Sequence, residues 1–130
     1  MAEKLILKES YCEITLDEAN VIKARWIGFL KLDQVKKGCD IISGYIKDNK
    51  LKGHISDHRS LKILSKEVQE YLGAVWFPEV ERLGLTKIAV LVSDDVFAKA
   101  TVDKVNETAV GNLAIHTFNA EQDCNDWLKS

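Results

Sequence analysis

The run Ile88-Ala89-Val90-Leu91-Val92, flanked by Lys87 and Ser93, is the most restrictive stretch of this chain. It has the length of a strand, and it is apolar on both faces. A strand with one face in water needs apolar residues only at alternate positions, so a continuous run belongs in the middle of a parallel sheet with helices on both sides. The rest of the chain should therefore supply neighbouring strands and the helices that cover them.

The flanking patterns meet that requirement. Imperfect alternation over Leu5–Leu16, a break at Asp17-Glu18-Ala19-Asn20 and renewed alternation over Val21–Gly28 predict a β-hairpin, with strands near 11–16 and 21–27 and a weaker strand at 4–8. Asn20 suits the turn because its side chain tolerates left-handed backbone. From Leu32 the period changes. Leu32, Val35, Cys39, Ile42 and Ile46 fall 3 and 4 apart, widened by Ile41 and Tyr45, which predicts a core-facing helix with Asp33 near its start and Asn49 as its stop.

Lys52–Asp57 predicts a short strand. Ser65 caps a second helix from Lys66 to about Leu83, with Val68, Leu72, Val75, Trp76, Val80 and Leu83 on one side, Gly84 past its end, and Pro78 forcing a kink or break. A third helix is expected from Asp94-Asp95 through Val96, Ala100, Val102 and Val105, ending before Gly111. Leu113–Phe118 then alternates as a last strand, and Ala120–Lys129 closes the chain as a fourth helix with Trp127 and Leu128 inward. This alternation predicts a single α/β domain over residues 1–130, a mixed, mostly parallel sheet with an N-terminal hairpin and four helices.

Composition narrows the function classes. A net charge of −2 with acids and lysines interspersed leaves no basic field for nucleic acid. No apolar run approaches the length that spans a bilayer and Met1–Ser10 has no signal-peptide core, so a cytoplasmic protein without a transmembrane segment is expected. Cys12, Cys39 and Cys124 are odd in number and far apart, which argues against disulfides and zinc. Cys39 sits on the helical stripe, while Cys12 and Cys124 are left as the two places for a reactive thiol. His54 and His116 fall within strands and are expected to pack. No cofactor or metal is expected.

In open α/β sheets ligands collect beyond the carboxyl ends of parallel strands. The polar residues assigned there are Asp57, His58, Arg59 and Ser60 after one strand, Ser93, Asp94 and Asp95 after the next, and Asn119 after the last. Asp57 beside His58 is the one acid–histidine pair suited to proton transfer, although no nucleophile elbow, second base or glycine-rich loop accompanies it. Trp76-Phe77 beside Pro78 cannot easily both face the core, which leaves two readings open: one ring covers a pocket or anchors a partner, or both pack inside a kinked helix.

Several strings, Ile55-Ser56-Asp57-His58-Arg59, Trp76-Phe77-Pro78-Glu79-Val80 leading to Leu83–Ala89, Val92-Ser93-Asp94-Asp95-Val96-Phe97, and Thr117-Phe118-Asn119 ahead of Asp126-Trp127-Leu128, carry a family resemblance. In order and spacing they resemble small bacterial proteins described as STAS/SEC14 domain-containing, common in Bacteroidetes. The element order resembles the SpoIIAA-like fold that STAS domains and anti-sigma factor antagonists share. Where such antagonists carry an Asp-Ser-Ser-Gly phosphorylation motif, this chain reads Asp57-His58-Arg59-Ser60-Leu61. The motif is absent as such, with Ser60 near the equivalent place.

Three readings follow. The first is a non-enzymatic regulatory or protein-interaction module. The second is a small-molecule or lipid-binding domain with its site at the strand ends, and the third, ranked last, is an enzyme using Asp57 and His58. A homodimer through the opening hairpin and the aromatic helix is left open.

Overall fold

The computed structural model describes residues 3–96 and 107–130. Seven strands form one sheet in the order β1-β2-β3-β4-β5-β7-β6. They are β1 Lys4–Glu9, β2 Cys12–Leu16, β3 Val21–Phe29, β4 Gly53–Ile63, β5 Lys87–Leu91, β6 Glu107–Val110 and β7 Leu113–Phe118. The four central strands β3, β4, β5 and β7 pair in parallel, and β1–β2–β3 on one side and β6–β7 on the other pair antiparallel. The apolar run of Ile88–Val92 thus contributes β5, a strand hydrogen-bonded to parallel partners on both edges, as its composition requires.

Helix α1, Leu32–Asn49, packs its stripe of Val35, Cys39, Ile42 and Ile46 onto one sheet face. Its approach is close at Gly38, where an added Cβ would lie 2.6 Å from Trp26 Cη2 of β3. The helix ends at Asn49, the expected stop, and Lys50, at φ 54, takes the left-handed position after it.

The second helical segment covers the same face. α2, Lys66–Tyr71, begins where Ser65 Oγ accepts the Val68 amide at 3.2 Å. A π-helical turn, Leu72–Trp76, follows, and α3, Phe77–Arg82, ends in Gly84 at φ 106 with the Leu85 amide on the Val80 carbonyl. Pro78 explains the π turn. With no amide it cannot donate back along the helix, and its ring crowds the preceding turn, so the backbone widens just before it and the Phe77 amide reaches Leu72 O. The expected kink is present as a change of helical register.

The opposite face is covered by α4, Glu121–Lys129, whose Cys124, Trp127 and Leu128 pack on Val21, Ile55, Ala89 and Leu91. Lys87 Nζ donates to the carbonyls of Trp127 and Ser130, both at 2.9 Å, and so holds the helix's carboxyl end. His116 stacks on Trp127 with centroids 4.7 Å apart.

Three expectations are corrected. The helix expected from Asp94-Asp95 is helical at residues 94–96, and Ala100, Val102 and Val105 lie outside the described residues; its expected end just before Gly111 is corrected, because residues 107–110 form β6. Gly111, at φ 61, opens a two-residue hairpin between Val110 and Leu113, and that turn redirects the chain. The strand expected to end at Asp57 continues to Ile63. Val75, expected in the core, is 51% exposed because the π turn rotates it outward. No helix among the described residues is long and apolar enough to cross a membrane.

Candidate functional site

The described residues cover only half of the sheet's second face. α4 lies over β4, β5 and β7 and reaches Val21 at the start of β3, and the rest of the stretch over β2 and β3 is left open by the described residues. Alternation in β3 puts Val21, Lys23 and Arg25 on this face. Register then sets Glu13 of β2 and Asp57 of β4 on either side of Arg25, a row of acid, base and acid across three strands. With Thr15, Glu3, Arg59 and Ser60 these residues line a polar cleft of about 520 Å³.

A β-bulge in β4 builds one wall. Arg25 pairs with Asp57 but Ile27 pairs with Ser60, so β4 uses one more residue than β3 over this interval. The extra residue breaks the two-residue alternation, and the consecutive Arg59 and Ser60 both line the cleft.

Asp57 is the anchor of the cleft and is 1% exposed. Its carboxylate accepts Arg59 Nε and Nη2 at 3.1 and 2.8 Å, and the Arg59 amide at 3.0 Å. Burial alone would raise the Asp57 pKa. The hydrogen bonds and charge of Arg59, with Lys23 nearby, outweigh it and hold the group below its ordinary value. Glu121, at the start of α4, completes the network through Lys23 at 3.0 Å and Arg59 at 3.8 Å. Arg25 Nη2 donates to Ser60 Oγ at 3.0 Å and has no acidic partner within salt-bridge distance among the described residues.

The eight residues assigned from sequence to one rim separate into three places. Asp57, Arg59 and Ser60 belong to the cleft, inside β4 and not in a loop beyond it. His58 points to the opposite sheet face, where its Nε2 lies 2.8 Å from Ser56 Oγ. Strand alternation thus parts the Asp57–His58 pair, and no joint proton transfer is available to it.

Ser93, Asp94, Asp95 and Asn119 are exposed beyond β5 and β7. There Ser93 Oγ lies 3.5 Å from the Val96 amide, and Asn119 Nδ2 donates to Asp94 Oδ1 at 3.0 Å. These are contacts of a helix start, and none of the four lines the cleft.

The aromatic pair is also reassigned. Trp76 is 3% exposed, its Nε1 donating to Ser43 Oγ at 2.9 Å and Cys39 O at 3.2 Å, so it is a satisfied core residue and not a surface anchor. Phe77 is half-buried against the same core. All three cysteines are buried, and burial pushes the Cys12 and Cys124 thiols up to about 12, far from reactive thiolates. Among the described residues no group of three or more His, Cys, Asp or Glu side chains could hold a metal ion. Lys23, Arg25 and Glu121 were missed; the alternation of Lys23-Ala24-Arg25 was the available signal for the first two.

No family model matches the sequence, and no curated protein does. Among solved structures, an uncharacterized protein of the DUF3478 family with a SpoIIAA-like fold, from Shewanella loihica, superposes with a TM-score of 0.60 over 98% of this chain and 96% of that one. The fold is SpoIIAA-like. At 12% identity the likeness concerns backbone architecture. The SpoIIAA-like scaffold accounts for the sheet and its helices, and the cleft has to be read from this chain's own side chains.

Proposed function

We propose that this chain is a non-enzymatic interaction module that meets a partner protein through the open half of its sheet. The observation that carries the reading is the row Glu13–Arg25–Asp57 with Arg59 and Lys23 beside it, a fixed pattern of alternating charge in a cleft that no other described residue covers. Such a pattern gives specificity and register to a polar protein surface, where mismatched charges are strongly penalised.

The chemistry of the cleft supports binding over turnover. Its one buried carboxylate is committed to Arg59, its histidine neighbour faces away, and no nucleophile with an adjacent base lines it. A cytoplasmic setting is part of the proposal, since three free, buried thiols suit a reducing compartment.

The experiment is affinity capture from the source cells with wild-type protein and with Arg25→Glu, read by quantitative mass spectrometry. A specific partner enriched by the wild type and depleted about tenfold or more with Arg25→Glu is the expected result. Equal recovery by both proteins rules the cleft out as the docking surface.

A further inference from the structure

The other face of β4 holds a second concavity, walled by apolar side chains. It lies between the sheet and the π turn and offers about 50 Å³ to the centres of water-sized molecules, several times what a single water needs. Leu61, Leu64, Leu72, Trp76, Phe77 and Val90 form much of its wall. The π turn is what gathers three of them. Residues five apart come to the same side in a π turn but diverge in an α-helix, so Leu72 and Phe77 can flank one cavity with Trp76 between them.

Besides the indoles of Trp26 and Trp76, the side-chain oxygen and nitrogen groups in the lining are those of Ser56 and His58. They bond each other through Oγ and Nε2, and Nδ1 of His58 makes no hydrogen bond to the described residues. Burial holds the His58 pKa down at about 4, so the ring is neutral at physiological pH and can either donate or accept at one atom. No charged side chain lines the cavity.

We propose that this cavity is a second binding site, for a small uncharged molecule with an apolar ring or short chain and one hydrogen-bonding group that meets the free ring nitrogen of His58. Apolar walls supply affinity through burial, and the single polar atom fixes orientation. A charged molecule would lose its hydration with no opposite charge to receive it.

The test uses phenol, toluene and benzoate as probes, followed by amide and methyl NMR of the whole chain. Phenol and toluene should give saturable shifts at Leu61, Leu64, Leu72 and Val90 in the low millimolar range, with benzoate at least about tenfold weaker. His58→Phe should weaken phenol by about fivefold and leave toluene within about twofold, since one net hydrogen bond is removed.

Should that variant lose its spectral dispersion, Leu64→Trp at the half-exposed rim fills the cavity and should abolish binding of both. Arg25→Glu on the opposite face should change neither, which separates this site from the proposed docking cleft. No saturable shift at these residues, benzoate binding as well as phenol, or equal loss of phenol and toluene in His58→Phe would overturn the proposal.

Discussion

Arg59 closes on Asp57 from three directions: side-chain Nε to Oδ1, Nη2 to Oδ2, and its own backbone amide to Oδ1. The Asp57 side chain is almost wholly buried while that of Arg59 is 45% exposed, so the pair is asymmetric. Removing the arginine strands the acid, whereas removing the acid merely frees the arginine to water.

Arg59→Ala should therefore destabilise the fold by about 1–3 kcal/mol, the range for a buried charged group losing its main partners. With the depressing interactions gone, burial dominates and the Asp57 pKa rises. In the wild type the depressed folded pKa gives stability that is present above the unfolded value and is lost as pH falls through the folded one. Arg59→Ala should abolish that acid loss and reverse its sign, so that the variant's stability deficit against wild type shrinks as pH falls, and Arg59→Lys should restore only part of the wild-type dependence. Urea unfolding across the acid range measures both, and an acid transition unchanged in Arg59→Ala would show that the pair does not govern Asp57.

His54 poses a different electrostatic problem. It is fully buried, Nδ1 lies 2.8 Å from Ile22 O, and Nε2 has no partner among the described residues. The carbonyl can only accept, so Nδ1 carries the proton and the ring is neutral, with an edge-on contact to Trp76 at 5.7 Å. Burial lowers its pKa to about 4, and that of His58 likewise.

The unfolded chain takes up protons on both rings at higher pH than the folded one does. Stability is therefore complete above about 6.5 and falls as pH drops toward 4, by roughly 3 kcal/mol for His54 alone. Melting temperature against pH should decline across this window, and His54→Gln should flatten the decline. A His54 or His58 imidazole signal that titrates near 6.5 in the native protein would contradict the assignment.

The sequence carries the elements whose cause is local or repetitive. Ser65 capping α2, Gly84 ending α3, Asn20 at φ 61 in its turn and the double-sided run of β5 were all legible, because each depends on neighbours a few residues away. β4 beyond Asp57 was not. Asp57-His58-Arg59-Ser60 is polar because it lines one cavity on each face, and a polar string reads as a loop when neither cavity is visible. β6 was hidden because its pairing with β7 is set by the turn at Gly111 and not by its own hydrophobic rhythm. The cleft itself depends on register across β2, β3 and β4, which joins Glu13, Arg25 and Asp57 from distant parts of the chain.

Burial and raised pKa should make all three cysteines slow toward thiol reagents. Cys12, Cys39 and Cys124 are each 0% exposed, and Cys39 is also pushed above its ordinary value by burial. Ellman's reagent at mildly alkaline pH should label none of them rapidly in the native protein and all of them in denaturant. Fast labelling of Cys12 or Cys124 in the native state would restore the reactive-thiol reading for that residue.

Two glycines in α1 give opposite expectations from one substitution. At Gly44 the helix faces solvent with nothing near an added Cβ, so Gly44→Ala should stabilise by about 0.5–1 kcal/mol through the lower backbone entropy of the unfolded chain. At Gly38 the same methyl meets the Trp26 ring at 2.6 Å, and the ring lies in the packed face between α1 and β3. The helix must lift or the ring must leave its position, and overpacking of this kind costs about 1–3 kcal/mol, more than the entropy gain. Gly38→Ala should thus lower the melting temperature and Gly44→Ala raise it. Because both changes share a helix and a propensity gain, the difference between them isolates the contact with Trp26, and two equal positive shifts would mean that α1 does not sit against β3 at this depth.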